Sequence, residues 1–496
     1  MITGQGSPSN DAGAPVPEQL YSTRRRTALL FTGTGTAGAY HAGVLRALHE
    51  AGIKIDLVGG RGVGAASALF AAIDGSSRLW EASGIWKDGS SRRMYGWRPA
   101  LRFAGYAVGL ALILLCLPMA LLLVAVLVGL AGMLATLVGL GGWGSALTGT
   151  FTSWVDKLFA PDAVPTVIPR LVVLALIVAA AIVASGALTA LLRHRGRRRA
   201  RVGSFWWVLG APLSADGLIS RCEADLWSLI RGAAPLAAPT RVELARKYVE
   251  LLQENLGQPG FRELLVTVHD LDARRDLVFA LLGQAQRGRF FSRTLAAPGV
   301  RHFEAFDLAG VARDHVGDAL VAALSVPLAT EPHLTRFSVE GPWRGETHRL
   351  CDRPDALARL IEEAGQAGAE QLIVVAPSAG GAKPHEMSGG RADLRGRTGE
   401  QLAGFEAASL RDALAQGAER FAGVFVISPA HLPLMPLDFG GIYDERSDRT
   451  QTVAELVDRG YEDAYRQFIE PVVGAGTEAA DAVQPANGVQ PSPVRL

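Results

Sequence analysis

A long apolar stretch without charge constrains this chain most. Residues 103–155 contain no Asp, Glu, Lys or Arg, and about 20 consecutive apolar residues are enough to cross a bilayer. A second charge-free apolar run covers residues 171–192. A buried core helix of a soluble domain is the alternative, but these runs are longer than such a helix usually is. The two runs therefore predict transmembrane helices, at roughly 104–128 and 170–192.

Arginines flank the two runs and predict their orientation. Basic clusters stay on the cytoplasmic side of a membrane, so both outer flanks are expected there and the number of crossings is even. Two helices satisfy this, with or without a re-entrant piece at the Gly-rich residues 129–142, whereas three crossings would place one cluster outside. The flanking arginines are Arg92, Arg93, Arg98 and Arg102 before the first run, and Arg193, Arg195, Arg197, Arg198, Arg199 and Arg201 after the second.

The composition argues against several classes of site. Lys and Arg number 49 against 48 Asp and Glu, so no excess of positive charge predicts a nucleic-acid partner. The three cysteines, Cys116, Cys222 and Cys351, are too far apart to predict a disulfide framework or a zinc site. The ten histidines show no H-x-x-x-H spacing, and neither a metal nor a cofactor is predicted.

The sequences at both ends of the chain predict disordered tails. Residues 1–25 are rich in Pro, Gly and Ser and lack the apolar core of a signal peptide. The predicted organisation is a disordered tail (1–25), the first part of an α/β domain (26–100), a transmembrane hairpin with basic flanks (101–201), the second part of the α/β domain with C-terminal helices (202–473), and a second tail (474–496).

Strand and helix patterns alternate outside the apolar region. A strand at 27–32, a Gly-rich turn at 33–38 and a helix at 39–51 precede a second strand at 54–58 and a second Gly-rich turn at 59–64. This alternation predicts a parallel sheet with helices on its faces.

The first turn matches G-x-G-x-x-G at Gly33, Gly35 and Gly38, the pattern of a dinucleotide-binding turn. That pattern requires an acidic residue near the end of the second strand. Here Asp56 lies near the start of the strand, and glycines follow it. A nucleotide-binding membrane protein is therefore kept only as an alternative.

The second turn has the outer glycines of a G-x-S-x-G nucleophile elbow and lacks its serine. The five residues are Gly60, Arg61, Gly62, Val63 and Gly64. Such an elbow lies on a sharp turn between a strand and a helix. The two turns together resemble those of patatin-like phospholipases. The resemblance implies a Rossmann-type α/β sandwich, here with an inserted transmembrane hairpin, and a Ser–Asp dyad that hydrolyses lipid acyl esters.

The later segments 261–282, 318–329 and 348–378 resemble the family's elements in the same order. By this resemblance Asp352 is the candidate dyad aspartate, with a solvated loop carboxylate as the alternative. The resemblance also implies an oxyanion loop formed by Gly33, Thr34, Gly35 and Gly38, and an elbow framed by Gly60, Arg61 and Gly64.

Three departures from the family pattern predict the loss of its chemistry. Gly62 stands where the serine would be, Ala37 stands at the oxyanion-loop arginine, and Arg353 and Pro354 replace the glycines after Asp352. A dyad needs a hydroxyl oxygen to attack the ester. We therefore expect a non-hydrolytic lipid-binding or regulatory module, anchored in the inner (plasma) membrane with a cytoplasmic α/β domain and membrane lipid as partner.

The main alternative is an active lipid acyl hydrolase with a rearranged site. It would need another serine, with Ser67 and Ser325 as the candidates, or a water activated by Asp352 near the amides of residues 33–38. We expect Ser67 to pack a helix against the sheet and Ser325 to cap a helix. Asp438, in a D-x-G-G sequence, is expected to be a turn residue rather than the dyad aspartate, because an additional strand precedes it.

Overall fold

The computed structural model describes residues 21–88, 94–161, 163–195, 211–296, 303–378, 393–444 and 449–474. The predicted tails fall almost wholly outside these ranges, as do the flanking arginines Arg92, Arg93, Arg197, Arg198, Arg199 and Arg201. The chain divides into two compact units, an α/β unit (1–95 with 215–496) and a helical unit (96–214).

The strands of the described residues fall into one large sheet and two small pairs. They are β1 Thr27–Phe31, β2 Leu57–Gly60, β3 Gly96–Trp97, β4 Leu213–Ser214, β5 Glu263–Asp270, β6 Arg275–Leu281, β7 Ala305–Asp307, β8 His333–Arg336, β9 Thr347–Cys351, β10 Gln371–Val375, β11 Gly423–Ile427, β12 Ile442–Asp444 and β13 Arg449–Gln451.

The helices follow the same order along the chain. They are α1 Ala37–Glu50, α2 Val63–Ala72, α3 Ser77–Trp80, α4 Pro99–Leu137, α5 Gly141–Leu158, α6 Val164–Arg195, α7 Asp216–Arg231, α8 Arg241–Asn255, α9 Gln284–Ala296, α10 Val316–Ala323, α11 Leu357–Gln366, α12 Leu394–Arg420 and α13 Val453–Ala464, which continues into a π-helical segment, Tyr465–Gly474.

The large sheet has the strand order β11-β10-β1-β2-β5-β6-β7, with β9 beside β5 and β8 beside β9. Strands β11, β10, β1, β2 and β5 are parallel, whereas β6 and β9 run antiparallel to β5. The predicted α/β fold with a mainly parallel sheet is confirmed. Strand β2 begins at Leu57 rather than at residue 54, because the Asp56 carboxylate turns back to accept a hydrogen bond from the Thr27 amide.

The central strands β1, β2 and β10 are buried along their whole length and mostly apolar, as expected for parallel strands with helices on both faces of the sheet. One side of the sheet packs Leu30, Leu57 and Val374 against Leu360 of α11 and Leu410 of α12. The chain order reverses between β1 and β10, and in open α/β sheets such a reversal opens a crevice at the carboxyl ends of the strands. The two Gly-rich turns follow β1 and β2 at this edge.

The helical unit consists of α4, α5 and α6 with the short β3–β4 pair. Two helices, Pro99–Leu137 and the part Pro165–Gly186 of α6, are long and apolar enough to cross a membrane by length and composition. Only 6% and 22% of their most apolar windows are buried. Helix α4 is continuous to Leu137, well beyond the predicted end at residue 128.

Candidate active site

The predicted elbow is a sharp turn between β2 and α2, with Gly62 at its tip. Gly62 has φ +56° and ψ −138°, a backbone conformation that favours glycine. A Cβ atom built on residue 62 would lie 3.0 Å from the Asp352 Oδ2 atom. The structure therefore brings the serine position and the predicted aspartate together. Asp352 is only 1% exposed, so the alternative of a solvated loop carboxylate is wrong.

The carbonyl group of Gly33 fills the space at the elbow. Its oxygen accepts a hydrogen bond from the Val63 amide at 3.0 Å, and it lies inside van der Waals distance of a Cβ built on Gly62. In hydrolases with this kind of elbow, the amide of the residue after the nucleophile donates to the oxyanion. Here that donor is already bound to a carbonyl of the chain.

Arg61 is fully buried and forms the centre of an ion-pair network. One guanidinium nitrogen donates to both carboxylate oxygens of Asp352, at 3.1 and 2.9 Å. The second terminal nitrogen is paired with Glu406 of α12, and Nε donates to the Thr32 hydroxyl at 2.8 Å. Two carboxylates thus share one guanidinium, an arrangement that needs such direct pairing to be tolerated in the interior.

Burial raises the pKa of Asp352 above its ordinary value. The neighbouring Arg61 charge and hydrogen bonds from Arg61, from the Arg353 amide and from the Gly62 amide act in the opposite direction. The acceptor sites of this carboxylate are therefore directed at groups of the chain, whereas a dyad aspartate must accept a proton from its nucleophile.

A segment of residues 434–439, named the cover segment, lies against the predicted oxyanion loop. The Thr34 hydroxyl donates to the Pro436 carbonyl at 2.8 Å, and the Thr36 hydroxyl donates to the Asp438 carbonyl at 2.9 Å. The Phe439 ring lies 2.9 Å from a Cβ built on Gly35. The loop is buried beneath these contacts, which leave no room there for the pyrophosphate of a dinucleotide.

Tyr95 packs against the cover segment. Its ring stacks on Phe439 with 4.3 Å between the ring centroids, and burial strongly raises the pKa of its hydroxyl. The Asp352 charge contributes to this shift, so Tyr95 shares the enclosure of the carboxylate.

The remaining elbow and loop positions have structural roles. A Cβ on Gly64 would lie 2.5 Å from the Phe31 carbonyl oxygen, so the glycine lets α2 approach β1 closely. Gly60 and Gly38 likewise face contacts that a side chain would overlap. Arg353, at a family glycine position, pairs with Asp276 and with Asp355.

Both alternative serines are buried, and Ser325 follows the C-terminal end of α10 rather than capping the start of a helix. Ser325 donates to the Val321 carbonyl one turn earlier, at 2.8 Å. Ser67 lies within α2, and its hydroxyl is 3.2 Å from Nδ1 of His41. Nε2 of His41 is 3.0 Å from the Thr32 carbonyl oxygen, which makes Nδ1 the acceptor. This Ser–His pair is within hydrogen-bond reach, but both residues are at most 1% exposed.

Three partners of the site were not predicted from the sequence: Glu406, Thr32 and the cover segment. Glu406 had a signal, because it lies on the buried stripe of α12 with Leu402 and Leu410, and a carboxylate on an apolar stripe needs a cationic partner. Among the described residues, no group of three His, Cys, Asp or Glu side chains could hold a metal ion.

The fold and this elbow define a mixed α/β protein with a mainly parallel sheet and with glycine at the tip of the turn between β2 and α2. The sequence model of the family described as Patatin-like phospholipase matches residues 29–343. The chain therefore belongs to the patatin-like phospholipase family, which supports a lipid-related function. The match ends before Asp352, so the assignment of this residue as the aspartate of the site rests on the geometry alone.

Among solved structures, the chain is similar to VipD from Legionella pneumophila. The two are 12% identical, the TM-score is 0.28, and the alignment covers 89% of this chain and 66% of the VipD chain. The chain thus spans just under two thirds of the length of that protein. No curated protein matches this chain.

Proposed function

We propose that this chain is a membrane-anchored patatin-like protein that has lost acyl-ester hydrolysis and acts as a lipid-binding or regulatory module. One observation carries the proposal. The elbow position beside Asp352 is Gly62, and the space for its side chain is taken by the Gly33 carbonyl. No hydroxyl oxygen is available there to form an acyl-enzyme.

The second support is the engaged oxyanion donor. Stabilising the oxyanion through preorganised amides contributes a large part of acyl-transfer catalysis, and the loss of one donor costs about 10²–10³ in rate. The Val63 amide donates to the Gly33 carbonyl instead. Hydrolysis would require this peptide to reorient as well as a new nucleophile.

The third support is the pairing of Asp352 with Arg61. Breaking a buried pair of this kind costs about 3–5 kcal/mol, because an uncompensated charge stays inside. The carboxylate is therefore held as a partner of Arg61, and its oxygens are engaged by groups of the chain rather than by a nucleophile. The same argument disfavours an activated water at this position.

The membrane part of the proposal rests on composition and on the flanking arginines. The most apolar 18-residue windows of helix α4 and of the part Pro165–Gly186 of α6 have mean hydropathies of 3.1 and 2.7. Basic flanks on both sides favour a cytoplasmic α/β unit at the inner (plasma) membrane. Because the site around Gly62 is buried, these helices are the surface proposed to contact lipid.

The test is fatty-acid release by the purified full chain from mixed phospholipid vesicles, with an active patatin-like phospholipase as positive control. We expect no release above that of Asp352→Asn, and the same result for Asp314→Asn, which changes a surface carboxylate. Release that Asp352→Asn abolishes and Asp314→Asn retains would overturn the non-hydrolytic assignment.

Membrane anchoring is tested separately. We expect the chain to stay in the membrane pellet after extraction with alkaline carbonate, and its release into the supernatant would contradict anchoring.

A further inference from the structure

Helix α4 is too long for one bilayer. Its 39 residues span about 58 Å at about 1.5 Å per residue, whereas the hydrocarbon core of a bilayer is about 30 Å thick. Residues 103–137 of α4 carry no charge. The helix therefore offers about twice the apolar length that a single crossing can use.

The first half of α4 pairs with α6. A Cβ on Gly186 would lie 3.9 Å from the Ala100 Cβ atom, and Ala111 packs in a cluster with Val172 and Ala175. These contacts give an antiparallel pair between residues 99–117 and the main part of α6. The 19 residues of α4 in this half span about 28 Å.

The second half of α4 pairs with α5. Val128 and Phe151 line one small cavity, and a Cβ on Gly144 would lie 2.7 Å from the Gly132 carbonyl oxygen. The two helix backbones thus touch at paired glycines, as helices do in lipid. This distal hairpin, defined as residues 118–158, also has about the length of one hydrocarbon core.

The two halves of α4 meet at a level along the helix axis, named the charged level, where prolines interrupt backbone hydrogen bonds and charged residues lie nearby. The registers of both pairs place Pro118 of α4, Pro169 of α6 and the end of α5 at Leu158 at nearly the same height. Proline inside a helix removes a backbone hydrogen bond and favours a kink. Asp156, Lys157 and Arg170 lie close to this level, and charge is absent from residues 119–155.

We propose that in a bilayer the continuous helix α4 opens at Pro118, and that the distal hairpin folds back there and between α5 and α6, so that it lies in the same bilayer as the pair formed by residues 99–117 and α6. This inference rests on the proposed membrane anchoring. Four helical segments then cross one hydrocarbon core, the charged level lies at one surface, and the 138–142 tip lies at the opposite surface. A straight hairpin would instead hold about 30 Å of apolar helix in water.

The side chains of the distal hairpin suit lipid. Leu137, Val138 and Trp143 are 74%, 76% and 80% exposed, and none of the described elements of the helical unit covers them. The threonines of α5 satisfy their hydroxyls on the preceding turn, as Thr148 does on the Gly144 carbonyl at 2.9 Å, which removes the cost of a bare hydroxyl in lipid. Trp143 and Trp154 stand near opposite ends of α5, where membrane interfaces favour tryptophan.

The test is labelling of single cysteines by a membrane-impermeant maleimide, in the full chain carrying Cys116→Ser. Leu140→Cys reports the tip, Ala160→Cys reports the charged level, and Gly142→Cys is a second tip position with open space around its Cβ atom. Ala82→Cys, on the exposed surface of the α/β unit, reports the side on which that unit lies. Intact cells and inside-out vesicles are labelled in parallel.

We expect the tip and the charged level to be labelled from opposite sides of the membrane, with the tip on the same side as Ala82→Cys. Labelling of both from one side would show a straight hairpin and overturn the proposal, and so would a tip that is reached from neither side. If the tip and the charged level are labelled from opposite sides but Ala82→Cys is labelled on intact cells, the fold-back stands and the proposed cytoplasmic orientation of the α/β unit fails. Recovery of the chain in the soluble fraction would contradict the anchoring itself.

Discussion

The carbonyl oxygen of Gly33 accepts the amide hydrogen of Val63 at 3.0 Å. This single bond joins the loop after β1 to the turn after β2, and it closes the position where an acyl hydrolase of this family type would hold its oxyanion. The same carbonyl blocks a side chain on Gly62. Restoring the serine alone is therefore not expected to restore hydrolysis.

Gly62→Ser should give no fatty-acid release and should destabilise the chain. The backbone at φ +56° strains any other residue by about 1–3 kcal/mol, and the overlap with the Gly33 carbonyl adds a further overpacking cost of about 1–3 kcal/mol. Thermal unfolding of Gly62→Ala against Gly52→Ala separates the two costs, because Gly52 has φ +65° and open space around its Cβ atom. Equal losses in the two variants would mean that the Gly33 carbonyl is not in the way.

Arg61→Met should cost about 3–5 kcal/mol of unfolding free energy, because it leaves Asp352 and Glu406 buried without their cation. Adding Glu406→Gln should recover part of the loss, since one of the two bare charges is removed. Arg246→Met serves as the control. It breaks a pair that is more than half exposed on the arginine side and should leave the free energy of unfolding almost unchanged.

His41 should make the chain less stable as the pH falls. Burial, with the nearby Arg61 charge, lowers its pKa from 6.5 to about 3, although the Thr32 carbonyl partly opposes this. Below pH 6.5 the unfolded chain takes up a proton that the folded chain refuses, at about 1.4 kcal/mol per pH unit. Unfolding of wild type and His41→Gln between about pH 6.5 and 4 checks this, and parallel curves would contradict it.

His348 should act in the opposite direction. Burial alone would lower its pKa, but the hydrogen bond to Asp270 at 2.5 Å and the charges of Asp270 and Glu346 outweigh it and raise the pKa above 6.5. Its contribution to stability is complete below pH 6.5 and is lost as the pH rises through the raised pKa. The thermal midpoint of wild type should exceed that of His348→Gln most at about pH 6 and progressively less toward pH 9.

The sequence predicted the parts of the site that local pattern determines. Glycines at fixed spacing after two strands mark two tight turns, and parallel strands bring those turns to one edge of the sheet. The partnership of Arg61 with Glu406 could not be predicted in this way, because the two residues are 345 positions apart in the sequence. The orientation of the Gly33 carbonyl could not be predicted either, because glycine adopts both positive and negative φ. In the structure φ of Gly33 is +119°.

The helical unit was predicted in its composition and only partly in its form. An uninterrupted apolar sequence predicts a helix in contact with lipid, but it contains no polar or charged residue that would indicate where the helix ends. The end of α4 at Leu137 is set by the tight Gly-rich turn before α5, whereas Pro118 does not end the helix. The length of α4 and its pairing with both α5 and α6 became visible only in three dimensions.

The most direct test of the central claim does not depend on knowing a substrate. The full chain in phospholipid vesicles is treated with a fluorophosphonate, which forms a covalent bond with an activated serine, and its intact mass is measured beside an active patatin-like phospholipase. We predict no adduct under conditions that label the control enzyme completely. A stoichiometric adduct that forms on the folded chain and is lost in Ser67→Ala, or in a variant of another serine, would show a working nucleophile and contradict the account.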